Sequence, residues 1–428
     1  MIRILIIITS FIFLISNTNA ETFSAALKKA YNDNNELNAE RESLNISEQE
    51  LKISRSSYLP SVTLSGSKSS EDTNKLTNQN GTDATISDVD PTVQSLTITQ
   101  TLIDFGRGAE LSKSKIGIEL AKAKLLKKEQ EILYKSIEAY TGLISANEKL
   151  KINKSNVNLL DRQVETDRIR LERGNISLSD VAQSESSLAG ARADLIKAKT
   201  ELLATKKNFE RVTREKIPNT ESLNERAALI LPNSLKESLE LASLNNLELL
   251  TSKLDYEIAI KELNIEKARL SPSASLNYSK SENNDFSSTI DEIDEETVKA
   301  TITWPIIRGG ENISSIKKSS YNKQRYQLIL QDTKNKINTE ISNAWSKYQS
   351  SRSVLEATKA QLKAAEIANE GITLEYDSGN TRTTLELIQS RSLLLDSRIT
   401  FAKAERDFIV SQFELAKQLG SLSINSIK

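Results

Sequence analysis

The sequence contains no cysteine and no histidine among its 428 residues. The absence of cysteine excludes disulfides and thiolate nucleophiles, and the absence of histidine removes the commonest general base. Together the two absences also remove the common zinc ligands. Only carboxylate chemistry remains for an enzyme, and no pair of acids lies in a sequence context typical of a pocket. We therefore expect no enzymatic activity, no metal site and no cofactor.

Residues that interrupt helices are also scarce, because the chain has only 13 glycines and 6 prolines, and aromatic residues make up 5%. Long stretches rich in Ala, Glu, Lys, Leu and Arg are typical of extended helices. The 57 basic and 58 acidic residues nearly cancel, so the charge gives no indication of nucleic acid binding. Beyond the first twenty residues, no segment has the run of about 18 apolar residues that a membrane helix requires.

The first twenty residues predict a secretory signal peptide, residues 1–20. Arg3 precedes an apolar run from Ile4 to Ile15, and the small residues of Thr18-Asn-Ala20 follow at the expected cleavage site. The run is too short for a stable membrane helix, although a retained anchor is the alternative interpretation. The mature chain is expected to begin near Glu21, and without cysteine it cannot carry a lipoprotein anchor.

The rest of the chain consists of two tandem copies of one unit. Asn34-Asn-Glu-Leu37 recurs as Asn246-Leu-Glu-Leu249, and Leu59-Pro-Ser-Val-Thr-Leu64 recurs as Ser271-Pro-Ser-Ala-Ser-Leu276. A shift close to 210 residues relates the two copies throughout, which indicates a structural repeat. We predict a first repeat over 21–218, a linker over 219–233 and a second repeat over 234–428.

Each repeat is expected to contain four helices and two strands, which predicts a mainly α fold with a small β part. Apolar residues recur every seven positions in the last helix of each repeat, as expected for left-handed coiled-coil packing. These residues are Val181, Leu188, Leu195, Leu202 and Phe209, and then Leu387, Leu394, Phe401, Phe408 and Leu415. The predicted helices cover 22–34, 36–58, 109–173, 178–214, 234–245, 247–270, 311–378 and 382–420. The predicted strands cover 61–69, 92–103, 273–281 and 297–307, with acidic loops at 70–91 and 282–296.

The strands carry an alternation that suits a transmembrane β-barrel. Val298, Ala300 and Ile302 alternate with threonine or lysine, so one face is apolar and the other polar. A soluble, half-exposed sheet would show the same alternation. Four strands cannot close on themselves, and open edges are not tolerated in lipid. A membrane interpretation therefore requires several chains, and three chains would give twelve strands.

In the order of these motifs the mature chain resembles the TolC family of outer-membrane efflux and secretion channels. The matching segments include Leu59-Pro60, Gln100-Thr-Leu-Ile-Asp-Phe-Gly106 and Pro305-Ile-Ile-Arg-Gly-Gly310. The resemblance implies a homotrimer in which a twelve-stranded outer-membrane β-barrel continues into a periplasmic coiled-coil α-barrel. It also implies an exit duct for tripartite efflux or type I secretion, in the outer membrane of a Gram-negative-type envelope. A periplasmic adaptor protein and an inner-membrane transporter of the RND, ABC or MFS type would be its partners.

Two polar, glycine-marked turns lie between the longest predicted helices, and each is expected to form the tip of a helical hairpin. The resemblance implies that Tyr376 and Arg382 tether neighbouring helices, with Asp180 as their carboxylate partner. It also implies that Glu386 belongs to an acidic entrance ring, in which Gln389 stands where an acid would be expected. The predicted adaptor contacts at the tips are Gly174, Asn175, Gly379 and Asn380.

Helix chemistry gives a second interpretation of the same residues. Asp180 and Glu386 open helices, where a carboxylate is favoured by capping alone. A cation such as Arg382 is unfavourable there by about 0.3–1 kcal/mol, so we expect a carboxylate beside it. The alternative function is a periplasmic coiled-coil spacer without a pore, which would explain the heptads but not the alternating strands.

Overall fold

The structure is a computed structural model that describes residues 23–75, 85–214, 229–287, 290–378 and 382–424. The predicted signal peptide, residues 219–228 of the predicted linker, and both Gly379 and Asn380 lie outside these ranges. The chain divides into two compact units. The first contains residues 1–38, 129–244 and 340–428, and the second contains residues 39–128 and 245–339.

The helices occur in two matching sets of four. The first set has lengths of 11, 22, 66 and 36 residues, and the second has lengths of 11, 22, 67 and 35. No helix in the described ranges is long and apolar enough to cross a membrane. The helices are α1 Phe23–Asp33, α2 Asn35–Ser56, α3 Arg107–Glu172, α4 Leu178–Thr213, α5 Leu235–Asn245, α6 Leu247–Ala268, α7 Glu311–Asp377 and α8 Thr384–Gln418.

The repeated asparagine motif is a helix cap. The Asn34 Oδ1 atom accepts from the amides of Glu36 and Leu37, at 2.9 and 3.2 Å, at the start of α2. Asn246 does the same at the start of α6, accepting from Glu248 and Leu249 at 2.9 and 3.0 Å. An N-cap side chain satisfies amides that have no partner in the first turn. The motif that reveals the repeat therefore has a local structural cause.

Four strands form one antiparallel sheet in the order β1-β4-β5-β6, with β2 and β3 as a separate hairpin. The register places Val62 opposite Ile98, Ile98 opposite Tyr278, and Tyr278 opposite Val298, so these side chains share a face. That face is uncovered by the described chain, since Val62 is 64% and Ile302 is 78% exposed. The strands are β1 Ser61–Lys68, β2 Glu71–Lys75, β3 Thr85–Val89, β4 Thr92–Ile103, β5 Ser273–Ser287 and β6 Ile290–Thr303.

The predicted loops at 70–91 and 282–296 are wrong where strands occupy them. β2 and β3 occupy much of the first loop, and β5 and β6 extend through the second to within two residues of each other. Apolar alternation marks a strand only where one face avoids water. Beyond Tyr278 this face carries the cross-strand pair Lys280 and Glu296, and the opposite face carries Ser281 and Glu295. Both faces are therefore polar and suit contact with solvent. The apolar alternation therefore ends near Tyr278, while the backbone pairing of β5 with β6 continues beyond it.

An apolar cluster of buried residues lies in the first unit and joins α3, α4 and α8. Phe209 of α4 is fully buried, and its ring centroid lies 6.1 Å from that of Tyr140 on α3. Two residues of the seven-residue stripe of α4, Leu202 and Phe209, belong to this cluster, as expected for coiled-coil packing. The buried members are Leu133, Ile137, Ala139, Tyr140, Leu143, Ala146, Leu202, Phe209, Val212, Phe413, Ala416 and Leu422.

Candidate functional site at the helical hairpin tips

The first tip is a glycine-terminated helix end. Gly174 has φ +73°, a left-handed conformation that favours glycine. The Gly174 amide donates to the Leu171 carbonyl and the Asn175 amide donates to the Arg170 carbonyl, both at 2.9 Å. This pair of bonds is the Schellman motif, which satisfies the last carbonyls of α3. Gly174 and Asn175 are both exposed, as a docking position requires.

Both return helices begin with the same capping box. Ser177 caps α4 together with Asp180, and Thr383 caps α8 together with Glu386. The Asp180 carboxylate accepts from the Ser177 amide at 2.9 Å, and the Glu386 carboxylate accepts from the Thr383 amide at 2.8 Å. These bonds lower the pKa of both carboxyls, through the Ser177 side chain for Asp180 and chiefly through the Thr383 amide for Glu386.

Tyr376 is buried and bonded to Asp167, which is not among the site residues predicted from the sequence. Its hydroxyl donates to the Asp167 Oδ1 atom at 2.8 Å and lies 3.2 Å from the Thr384 hydroxyl. Burial raises the pKa of Tyr376, and the Asp167 carboxylate raises it further. Within the described chain Asp180 contacts neither Tyr376 nor Arg382, because the first turn of α4 holds its carboxylate. The role of Asp180 towards a neighbouring chain stays a prediction.

Asp167 lies on α3 and is fully buried. It bonds directly to residues of α4 and α7, and reaches α8 through Tyr376. Its Oδ1 atom accepts from Gln163 and Tyr376, both at 2.8 Å, and its Oδ2 atom accepts from Ser184 at 2.5 Å. Ser184 belongs to α4 and Tyr376 to α7, and Tyr376 meets Thr384 of α8. One carboxylate therefore holds all four tip helices in a single hydrogen-bond network.

Two arginines border this network. The Arg170 guanidinium lies over the Tyr376 ring, 4.3 Å from its centroid, and also donates to the Tyr376 carbonyl at 3.3 Å. Arg391 of α8 donates to the Gln163 Oε1 atom at 2.8 Å. A guanidinium over an aromatic face is attractive, so Arg170 adds a second restraint on the tyrosine.

The expectation of a carboxylate beside Arg382 is confirmed by two ion pairs. The Arg382 Nε atom lies 2.6 Å from Glu375, and a terminal nitrogen lies 2.9 Å from Glu386. The two carboxylates raise the pKa of Arg382, Glu375 more than Glu386. The residue lies just before α8, and its pairs tie the end of α7 to the first turn of α8. Gln389 is exposed one turn further along α8.

Acidification is expected to loosen the tips. The lowered pKa values of Glu386 and Asp180 mean that their contacts stabilise the fold above the unfolded carboxyl pKa, about 4. That stability is lost as the pH falls through the lowered pKa values. In the channel that the family resemblance implies, the mean conductance in a planar bilayer should therefore rise below about pH 4. Glu386→Gln should raise the conductance at neutral pH and flatten the acid response. A Glu386→Gln profile identical to that of the unmodified protein would contradict the assignment.

The described ranges contain no cluster of three or more acidic side chains arranged to hold a metal ion. What the tips offer is a set of hydrogen bonds that join the two hairpins, and ion pairs that join the two helices of the second hairpin.

A family model, related sequences and solved structures all show similarity to outer-membrane efflux or channel proteins. The sequence model of the family described as outer membrane efflux protein matches residues 26–213 and 238–421, one match for each repeat. Outer membrane efflux protein BepC of Brucella suis is 25% identical over 410 residues, which cover 95% of this chain and 87% of that protein. Outer membrane protein TolC of Salmonella enteritidis is 22% identical over 344 residues, covering 78% and 70%. Among solved structures, the Campylobacter jejuni CmeC outer membrane channel superposes with a TM-score of 0.80 at 16% identity, covering 93% of this chain and 85% of that one.

Proposed function

This chain belongs to the outer membrane efflux protein family, and from that premise we propose that it is the exit duct of a tripartite export machine, gated at its hairpin tips. The family consists of outer-membrane channel proteins rather than enzymes, and we assign no reaction to this chain. The cargo would be driven by a partner pump and would pass through the duct passively.

The proposed assembly is a homotrimer with one shared barrel. The four-stranded sheet leaves β1 and β6 as edges, and an edge cannot face lipid unpaired. Because β1 and β6 run antiparallel, β6 of one copy can pair with β1 of the next. Three copies would then close a barrel of about twelve strands, within the range of known outer-membrane barrels. The uncovered apolar face supports contact with lipid, and the long coiled-coil helices would form the periplasmic α-barrel.

The proposed gate consists of the Asp167–Tyr376 bond and the ion pairs of Arg382. Both hold α7 in place at the tip, one from the buried side and one from the exposed side. The adaptor would dock at Gly174 and Asn175, and at Gly379 and Asn380 of the second tip, and an inner-membrane transporter of the RND, ABC or MFS type would complete the machine. Their engagement would have to break the Asp167–Tyr376 bond and the Arg382 ion pairs, which together form the latch, because a closed tip passes no cargo.

The buried Asp167–Tyr376 bond is the observation that carries this proposal, and Tyr376→Phe tests it. A hydrogen bond to a charged group contributes about 1.5–3 kcal/mol, equivalent to tenfold or more in the ratio of closed to open tips. Tyr376→Phe should therefore raise the mean conductance of the purified protein in planar bilayers severalfold. Arg382→Ala should raise it as well, because it removes both ion pairs at the tip.

Tyr321→Phe provides the matched control, since Tyr321 lies on the same helix and is 70% exposed. It should leave the conductance unchanged. Conductance that stays at the unmodified level in both gate variants would overturn the gate. A purified protein that never conducts would instead favour the periplasmic spacer.

A further inference from the structure

The carboxylate of Asp167 lacks a direct charge partner. Its three hydrogen-bond donors are an amide and two hydroxyls, all of them neutral. In the part of the chain that the structure describes, no lysine or arginine nitrogen lies within 4.0 Å of it. A fully buried carboxylate is costly unless positive charge compensates it. The closed tip therefore needs a cation at slightly longer range.

Gln163 connects Asp167 to such a cation. Its Nε2 atom donates to Asp167 at 2.8 Å and is 3.4 Å from the Tyr376 hydroxyl, while its Oε1 atom accepts from Arg391 at 2.8 Å. Arginine can only donate, so Arg391 forces the amide oxygen to face it and the amide nitrogen to face Asp167. The reverse orientation would place the amide oxygen against the carboxylate. Arg391 thus determines which end of Gln163 reaches the latch.

Arg391 occupies its position at some cost. Thr384 and Leu387, which are seven and four residues earlier on α8, are buried on the same helix face. The Arg391 Nε atom is buried and has no hydrogen-bond partner within the described residues. Burial lowers the pKa of Arg391, and the carboxylates of Asp377 and Asp167 oppose that shift. An underbonded buried donor destabilises a fold unless its charge is useful there.

We propose that Arg391 is a positioning residue of the gate, which orients Gln163 and supplies the positive charge that the buried Asp167 requires. The assignment rests on the proposed gate and adds to it a second layer, behind the residues that form the latch. Arg391, Gln163 and Asp167 form one polarised chain, in which each bond strengthens the next.

A suppression experiment in planar bilayers tests the charge relationship. Arg391→Gln should raise the mean conductance severalfold, because Asp167 loses the positive charge that reaches it through Gln163, and Arg391→Lys should restore part of the closure. Asp167→Asn added to Arg391→Gln should then lower the conductance again. An asparagine can accept from Tyr376 and Gln163, and its amide can donate to Ser184, so the latch contacts persist without the charge.

The direction of the double variant separates this role from a structural one. Loss of packing at Arg391 would make the double variant conduct as much as Arg391→Gln or more, and that result would overturn the inference. Arg398→Gln is the control, because Arg398 lies on the same helix in an exposed pair with Glu366 at 3.3 Å. It should conduct like the unmodified protein.

The same recordings distinguish failure of the inference from failure of the gate. If Tyr376→Phe raises the conductance while Arg391→Gln leaves it unchanged, the gate stands and the role of Arg391 is wrong. If neither variant changes the conductance, the gate itself is wrong.

Discussion

Asp167→Ala should raise the mean conductance of the purified protein more than any other single change at the tips. The substitution removes the acceptor of three hydrogen bonds and leaves the donors Tyr376, Gln163 and Ser184 buried. Each buried donor without a partner costs about 1–3 kcal/mol, so we expect an increase of at least about tenfold. The four tip helices lose their common contact, and water can enter between them.

Asp161→Ala is the matched control for this experiment. Asp161 lies on the same helix, six residues before Asp167, and its carboxylate pairs with Arg192 at 3.0 Å on the surface. An exposed pair of this kind contributes about 0–1 kcal/mol. Both variants remove one negative charge from α3, so a general effect of charge would appear in both. Equal conductance of Asp167→Ala and Asp161→Ala would contradict a latch centred on Asp167.

The sequence contained a signal for Asp167 that the family resemblance obscured. The seven-residue series of α3 that starts at Leu111 and includes Ile132 continues through the polar Asn153 to Leu160 and then to Asp167. A charged residue in a coiled-coil core position is costly and therefore indicates a specific role. The resemblance directed attention to Asp180 near the turn instead. The burial of Asp167 and its bond to Tyr376 are visible only in the structure, and the role of Asp180 stays a prediction.

The helices were predictable because their signals are local. Prolines after α2 and α6, glycine at the first tip and seven-residue spacing along α4 each follow from the chain itself. The full extent of β5 and β6 was not predictable, because their outer halves are solvated on both faces and show no apolar alternation. The Gln163–Arg391 contact was equally invisible, since 228 residues separate its partners. Pairings at that distance depend on how the helices pack.

Phe209→Ala should lower stability strongly while leaving the gate closed. Removing a fully buried phenylalanine costs about 3–5 kcal/mol, because the lost burial and the remaining cavity both contribute. Phe209 packs against Tyr140 in the cluster that joins α3, α4 and α8, so the cavity would weaken all three helices. The measurement is the temperature at which helical circular dichroism is lost. Asn208→Ala, an exposed neighbour on α4, should leave that temperature nearly unchanged.

Phe209 and Asp167 together separate stability from gating. Phe209 lies 32 residues beyond the cap Ser177, which corresponds to about 48 Å along α4. At a temperature where circular dichroism shows that Phe209→Ala is still folded, this variant should therefore conduct like the unmodified protein. Asp167→Ala should instead show high conductance at the same temperature. High conductance in Phe209→Ala at this temperature would mean that the whole first unit, rather than the tip network, holds the duct closed.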